Sequence, residues 1–322
     1  MLSIPNARFY PCMDSFLGAA HGLLRALEDE QDIVELWGLS GLALRTQVHS
    51  SLHPSGLLPR EWDQTLPRWM RRLGHDAFAG LRDQFFTEND LRDLQGTWMR
   101  SLEQALAEGR PALSYGLHGP AFGLIRGFDA EREEYLVSTF MDGKNESPIS
   151  VQDVGSTSPP LIFFLIPTGP VHGYDYARMS MDAISEALRT ELGEDPDPRP
   201  RFISGTAAYN AWSTAIETEN VEAHWMVSLH AAYYLEARSA GADWLRRLSA
   251  REQPEPALAA AAEHLEHEAQ CFRRLARVFS LQGAEEMNDP QRRTEASACL
   301  RAARAEHIAA IEILARLRDA HE

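Results

Sequence analysis

The sequence predicts an α+β protein in two parts: an N-terminal helix packed on an antiparallel sheet over residues 1–170, then an all-α helical bundle over 171–322. Three observations predict it. Apolar residues Phe16, Ala19, Ala20, Leu23, Leu24 and Leu27 recur at helical spacing just after Tyr10-Pro11-Cys12. Short apolar or alternating runs broken by turn residues follow between Ala112 and Pro167. Beyond Pro170 the chain becomes rich in Ala, Glu, Arg and Leu, with long amphipathic segments whose apolar faces an antiparallel bundle would bury.

In chain order, the first helix runs from Cys12 to about Leu27, and Ile33 to Leu39 is a short helix or an extended piece. Ala43 to Ser50 alternates like a strand, and His53-Pro54-Ser55-Gly56 is a turn. Trp62 to Leu73 and Leu91 to Ala107 read as helices, the second on the spacing of Leu91, Leu94, Trp98, Leu102 and Leu106. Gly109-Arg110-Pro111 stops that helix, because proline cannot continue it, and opens a strand from Ala112 to Leu117. Phe122 to Phe128 and Tyr135 to Phe140 form a hairpin around Asp129-Ala130-Glu131. A polar loop spans Asp142 to Pro160, and Leu161 to Pro167 closes the sheet. Five helices are predicted after that: Asp175 to Leu192, Thr206 to Glu217, Val221 to Leu248, Glu255 to Ser280 and Pro290 to Ala320. Prolines at 196, 198, 200, 254, 256 and 290 separate or start them.

Composition narrows the function. The formal net charge of −16 opposes a general nucleic-acid or anionic-membrane binder, since both need a basic surface. The most apolar run, Leu161 to Ile166, is too short to cross a bilayer, and Met1 to Tyr10 lacks the charged and apolar regions of a secretory signal. Three widely spaced cysteines, Cys12, Cys271 and Cys299, suggest reduced thiols and a cytoplasmic protein. Phosphate-loop, dinucleotide, nucleophile-elbow and His-Glu-x-x-His motifs are absent, so no cofactor is expected.

Three segments resemble a family. They are Pro11-Cys12 ahead of a helix, Leu36-Trp37-Gly38-Leu39-Ser40-Gly41-Leu42-Ala43-Leu44-Arg45 followed by Pro54-Ser55-Gly56, and Gly109-Arg110-Pro111-Ala112 leading to Gly119-Pro120-Ala121-Phe122-Gly123-Leu124-Ile125-Arg126-Gly127-Phe128-Asp129. The third is similar to the signature of bacteriocin-processing, papain-like cysteine peptidases of the C39-like group. The whole arrangement, over residues 5 to 167, resembles proteins related to the N-terminal domain of butirosin biosynthesis protein H. That resemblance implies a papain-like fold and a cysteine-dependent acyl or peptidyl transferase or hydrolase. Its partner would be a small-molecule, peptide or carrier-protein-linked acyl substrate.

On the resemblance Cys12 is the nucleophile, and a helix N-terminus behind it would favour the thiolate. The base should stand six residues before Gly127, where the sequence has Ala121, and the acidic partner near Val137 to Thr139, where there is none. His118 is the nearest replacement base, with Asp129 or Asp142 to orient it. Ser40 and Gly41 with Arg45 are expected to line a pocket in which the guanidinium holds a carboxylate or phosphate. Ala121 and Phe122 are counted with them as substrate-binding. His21 points away from Cys12, and His49 and His53 flank a bend.

In the helical half, His264, His267 and Cys271 fall on one helix face at spacings that zinc accepts, yet no second ligand set accompanies them, so no metal is expected. Glu306-His307 is not a di-iron Glu-x-x-His motif. Trp212, Trp225, Tyr233, Tyr234 and Trp244 are expected as core. Two further readings stand beside the enzyme: a non-catalytic small-molecule or peptide binding protein on the same fold, motivated by Ala121, and a homo-oligomer formed through the helical half.

Overall fold

A computed structural model describes residues 2–82, 88–155, 157, 161–219, 221, 225–251, 255–279, 286 and 288–321, with the backbone alone for 88–95, 97 and 321. The elements in the first half are β1 (Leu2–Ser3), α1 (Ser15–Ala26), α2 (Ile33–Leu39), β2 (Gln47–His49), α3 (Trp62–Arg72), β3 (His75–Arg82), α4 (Glu88–Ala107), β4 (Ala112–Tyr115), β5 (Phe122–Asp129), β6 (Glu134–Ser138), β7 (Ile149–Ser150) and β8 (Ile162–Pro170). The rest is α5 (Tyr176–Glu191), β9 (Phe202–Ser204), α6 (Thr206–Glu217), α7 (Trp225–Ser249), α8 (Pro256–Val278) and α9 (Pro290–His321). The chain is therefore mixed α/β with an antiparallel sheet. It divides into two compact units, Met1–Leu36 with Glu61–Tyr174, and Trp37–Arg60 with Asp175–Glu322.

In the first unit the sheet runs β3-β8-β4-β5-β6-β7, every pair antiparallel, with β1 added beside β5 through Leu2 and Phe128. Alternate side chains face opposite ways, so both faces need a cover. On one face Leu102, Ala105 and Leu106 of α4 pack with Ile125, Tyr135, Val137, Ile162 and Phe164. On the other, Phe16 of α1 meets Trp69 of α3 and Phe122, and Trp62 meets Phe122 and Phe163. α1 lies unusually close to its neighbours because of Gly22, where a Cβ would stand 2.0 Å from the Arg8 carbonyl oxygen and 2.8 Å from Leu124.

Several strands of this unit depart from the expectation, among them β7, which lies inside the polar loop of 142–160. β3 has no alternating pattern to announce it, being an edge strand held by its ladder with β8, and Phe78 is 54% exposed. β6 stops at Ser138 rather than Phe140, because Thr139 N–H donates to Asp142 Oδ1 at 2.9 Å and turns the chain. The side chains of Leu91 and Leu94, used to predict α4, lie outside the described residues.

In the second unit, stacked Trp212, Phe272 and Tyr234 join α6, α8 and α7. Trp212, Tyr233, Tyr234 and Trp244 are buried, whereas Trp225 is 43% exposed and is not core. The stretch Trp37–Arg60 belongs here and not with the residues that flank it in the chain. Trp37 packs edge-on to Tyr233, and Gly38 lies so close to Trp244 that a Cβ would overlap its ring at 2.1 Å. The alternation of Ala43 to Ser50 yields only β2, paired with β9, because the carbonyls of Ala43 and Arg45 are taken by the Arg238 guanidinium at 2.7 and 3.1 Å.

Candidate functional site

The start of α1 is capped by Asp14, whose Oδ1 accepts the Leu17 N–H at 2.9 Å. Asp14 is buried, so a carboxylate occupies the positive end of the helix. Cys12 stands ahead of it, half-buried, and its Sγ–H donates to the Asp14 carbonyl at 2.9 Å. The dipole expected to act on the thiol is thus directed first at Asp14. Ser15 Oγ accepts the Phe122 N–H at 3.1 Å, which joins the start of α1 to the start of β5. Cys12 and the turn carrying His118 consequently lie at one end of the sheet.

His118 occupies the Gly116–Ala121 turn, and both its ring nitrogens are enclosed with no hydrogen-bond partner among the described residues. No bond from this imidazole to Cys12, Asp129 or Asp142 is formed. Asp129 does not belong to this end at all. It is the last residue of β5, seven residues from Phe122, which at about 3.4 Å per residue is roughly 24 Å away. Its Oδ1 instead accepts the Glu131 and Arg132 N–H groups at 3.1 and 3.3 Å and closes the hairpin. Asp142 is the acid at the Cys12 end: Ser138 Oγ accepts the Phe9 N–H at 2.8 Å and donates to Asp142.

Ala121 is absorbed by its turn, donating to the Gly119 carbonyl at 2.8 Å and accepting from Gly116 at 3.0 Å. Phe122 is core, with 1% exposure among Phe16, Trp62, Tyr115 and Phe163, and presents no surface to a substrate. His21 is buried, its ring tilted against that of Tyr10 with centroids 4.3 Å apart; burial first, and then Arg25, push its pKa down.

Ser40, Gly41 and Arg45 fall in the second unit. Ser40 is buried and closes α2, donating to the Trp37 carbonyl at 3.1 Å. Gly41 has φ +78° and sits against the Ala183 carbonyl, where a Cβ would come within 3.2 Å. Arg45, unlike these two, lines a crevice of ≈ 20 Å³ walled by Leu42, Gln47, Leu57, Tyr233 and Tyr234. Arg45 Nε is buried without a hydrogen-bond partner among the described residues. The opposite wall is fixed: Tyr234 OH accepts the Gln47 N–H at 2.8 Å and donates to the Gln47 carbonyl at 2.5 Å. Burial raises the Tyr234 phenol, so it remains a donor.

Behind this wall lies a charged cluster that the sequence did not reveal. Arg238, Glu191, Glu268 and His307 have side chains with no exposed surface. Arg238 Nε donates to Glu268 Oε1 at 2.8 Å, Tyr209 OH donates to the same oxygen, and Glu191 Oε1 accepts the Thr46 N–H. His307 faces Glu191 through Nε2 at 2.6 Å and Glu268 through Nδ1 at 3.2 Å. The carboxylates therefore engage opposite edges of the ring and do not converge on one metal-sized point. With His307 protonated, two anions meet two cations, which is how buried charge is tolerated. Burial alone would lower the His307 pKa, but Glu268 and Glu191 together raise it to about 9. A signal was present in the sequence: Glu268 is three residues after Leu265 and four before Phe272, on the apolar face of its helix.

No protein-family model matches this sequence, and no curated protein matches it. No helix among the described residues is long and apolar enough to cross a membrane.

Proposed function

We propose that this chain is a small-molecule binding protein for an anionic ligand, a carboxylate or a phosphate, held by Arg45. The observation that carries the reading is Arg45, which lines the crevice and whose buried Nε has no hydrogen-bond partner among the described residues. Leaving a buried donor unmade costs about 1–3 kcal/mol, which a bound oxyanion would offset through a charge-assisted bond. The crevice has about 20 Å³ of room, enough for about one water, so only the end of a small oxyanion would enter it.

The test is a calorimetric titration with acetate, succinate and inorganic phosphate. At least one should bind saturably, R45Q should weaken it at least tenfold, and C12A should leave it unchanged. Failure of all three anions, or wild-type affinity in R45Q, overturns the reading.

A second reading is favoured by a separate observation, the two unpartnered ring nitrogens of His118. It keeps the papain-like resemblance and makes the protein a cysteine-dependent acyl or peptidyl transferase or hydrolase. His118 takes the Cys12 proton, the sulfur displaces a carrier thiol from an acyl thioester, the thiol leaves with the proton, and an amine or water then releases the acyl group. Incubation with acetyl-N-acetylcysteamine should acylate Cys12, as seen by mass spectrometry, and H118A should slow this at least a hundredfold. Equal acylation of wild type and H118A would exclude His118 as the base.

A further inference from the structure

The polar groups outside these sites include one set suited to a metal. His264 and His267 stand three residues apart on α8 and project on the same side. Glu306 of α9 comes between them: His264 Nδ1–H donates to its Oε2 at 2.8 Å, and His267 Nδ1 is 3.6 Å from the same oxygen. One ligand atom from each residue lies within 4.8 Å of the others, a feature found for no other such group among the described residues. Cys271, which the sequence grouped with the two histidines, is buried and accepts from Arg274 Nη2 at 3.2 Å, so Glu306 stands in its place.

We propose that His264, His267 and Glu306 bind a divalent transition-metal ion of the zinc class, clamping α8 to α9. Two imidazoles and a carboxylate are the donors that zinc takes at about 2.0–2.2 Å, with a water in the fourth position. Tetrahedral coordination at that length puts ligand atoms roughly 3.4 Å apart, so the three groups need only side-chain adjustment. The metal takes the place of the hydrogen that His264 Nδ1 now offers Glu306, and the neutral imidazole then carries its proton on Nε2. The site is open to solvent, with side-chain exposures of 36%, 58% and 31% for His264, His267 and Glu306. The net charge of −16 concentrates cations around the chain.

The experiment is a calorimetric titration of the chelator-stripped full chain with zinc chloride, repeated with H264A, H267A and E306Q. These positions are partly exposed, so the variants fold, which circular dichroism checks. Wild type should bind one zinc with micromolar or tighter affinity, and each histidine variant should weaken it at least tenfold. Zinc should raise the melting temperature of wild type and not of H267A. Cobalt(II) in place of zinc should give visible absorption that is lost in H267A. The absence of binding below about 100 μM, or equal affinity in H267A, overturns the proposal; the latter would send the ion to the thiols.

Discussion

One imidazole, His307, is clasped between Glu191 at 2.6 Å and Glu268 at 3.2 Å, and none of the three side chains touches solvent. The pair spans 116 residues, from the end of α5 to the middle of α9. Its protonation is set by opposing effects: burial pushes His307 down, and the two carboxylates more than reverse it, to about 9 from 6.5.

The folded value above the ordinary one fixes the direction of the pH dependence. Protonated His307 adds stability that is complete below about pH 6.5 and disappears as pH rises through about 9. Urea unfolding at about pH 7 and about pH 10 should show wild type losing more stability across that interval than H307Q. A parallel decline in both would mean that His307 carries no linked proton.

Arg238 should be the least replaceable residue of the cluster. It supports Glu268 and also the Ala43 and Arg45 carbonyls at 2.7 and 3.1 Å. R238A leaves Glu268 buried with His307 alone as its counter-ion, and breaking such a pair costs about 3–5 kcal/mol. Denaturant melts should show that loss, and amide exchange over residues 43–47 should speed up before the rest of the unit. R238A with wild-type stability would refute the assignment.

Gly22 should tolerate no side chain. Its Cβ would fall 2.0 Å from a backbone oxygen, which cannot swing aside as a side chain does. G22A should destabilise by several kcal/mol despite alanine's better helix propensity, whereas A26G, at the half-buried last residue of α1, should cost about 1 kcal/mol. Thermal melts of the two variants make the comparison.

The three thiols should separate by accessibility. Cys12 is half-buried, while Cys271 and Cys299 have 4% and 8% exposure. Burial, above all, raises the Cys299 thiol, which lowers its thiolate fraction. Alkylation under native conditions should label Cys12 first and the other two only on unfolding. Simultaneous labelling of all three would show that the bundle opens readily.

The parts legible in the sequence are those where a repeat runs long enough to be read. α1, α4 and the helices from α5 to α9 carry several turns of apolar spacing, and Gly109 with Pro111 marks the junction of α4 and β4 closely; Gly109 has φ +77° and its N–H returns to the Leu106 carbonyl at 3.0 Å. β3 and β9 escape because an edge strand and a three-residue strand owe their conformation to partners far away in the chain. Asp129 was offered as an orienting acid by its nearness in sequence to the strand motif, but a strand separates its ends by its whole length, and Asp142 reaches the Cys12 end by coming back along β6. The charged cluster was missed because a lone Arg or His in an amphipathic helix resembles a solvent-facing residue until a partner is known, and these partners are 30 to 195 residues distant.

The packing of Trp37–Arg60 with helices that begin at Asp175 has a consequence for how the protein is made. During synthesis this stretch leaves the ribosome more than a hundred residues before the helices that cover Trp37, Leu39, Leu44 and Val48. A gene cut after Tyr174 would yield a polypeptide carrying an orphaned apolar insert, and one begun at Asp175 would yield a bundle whose Arg238 has lost the carbonyls of Ala43 and Arg45. Neither unit can be excised with a single cut, so neither is expressed whole without part of the other.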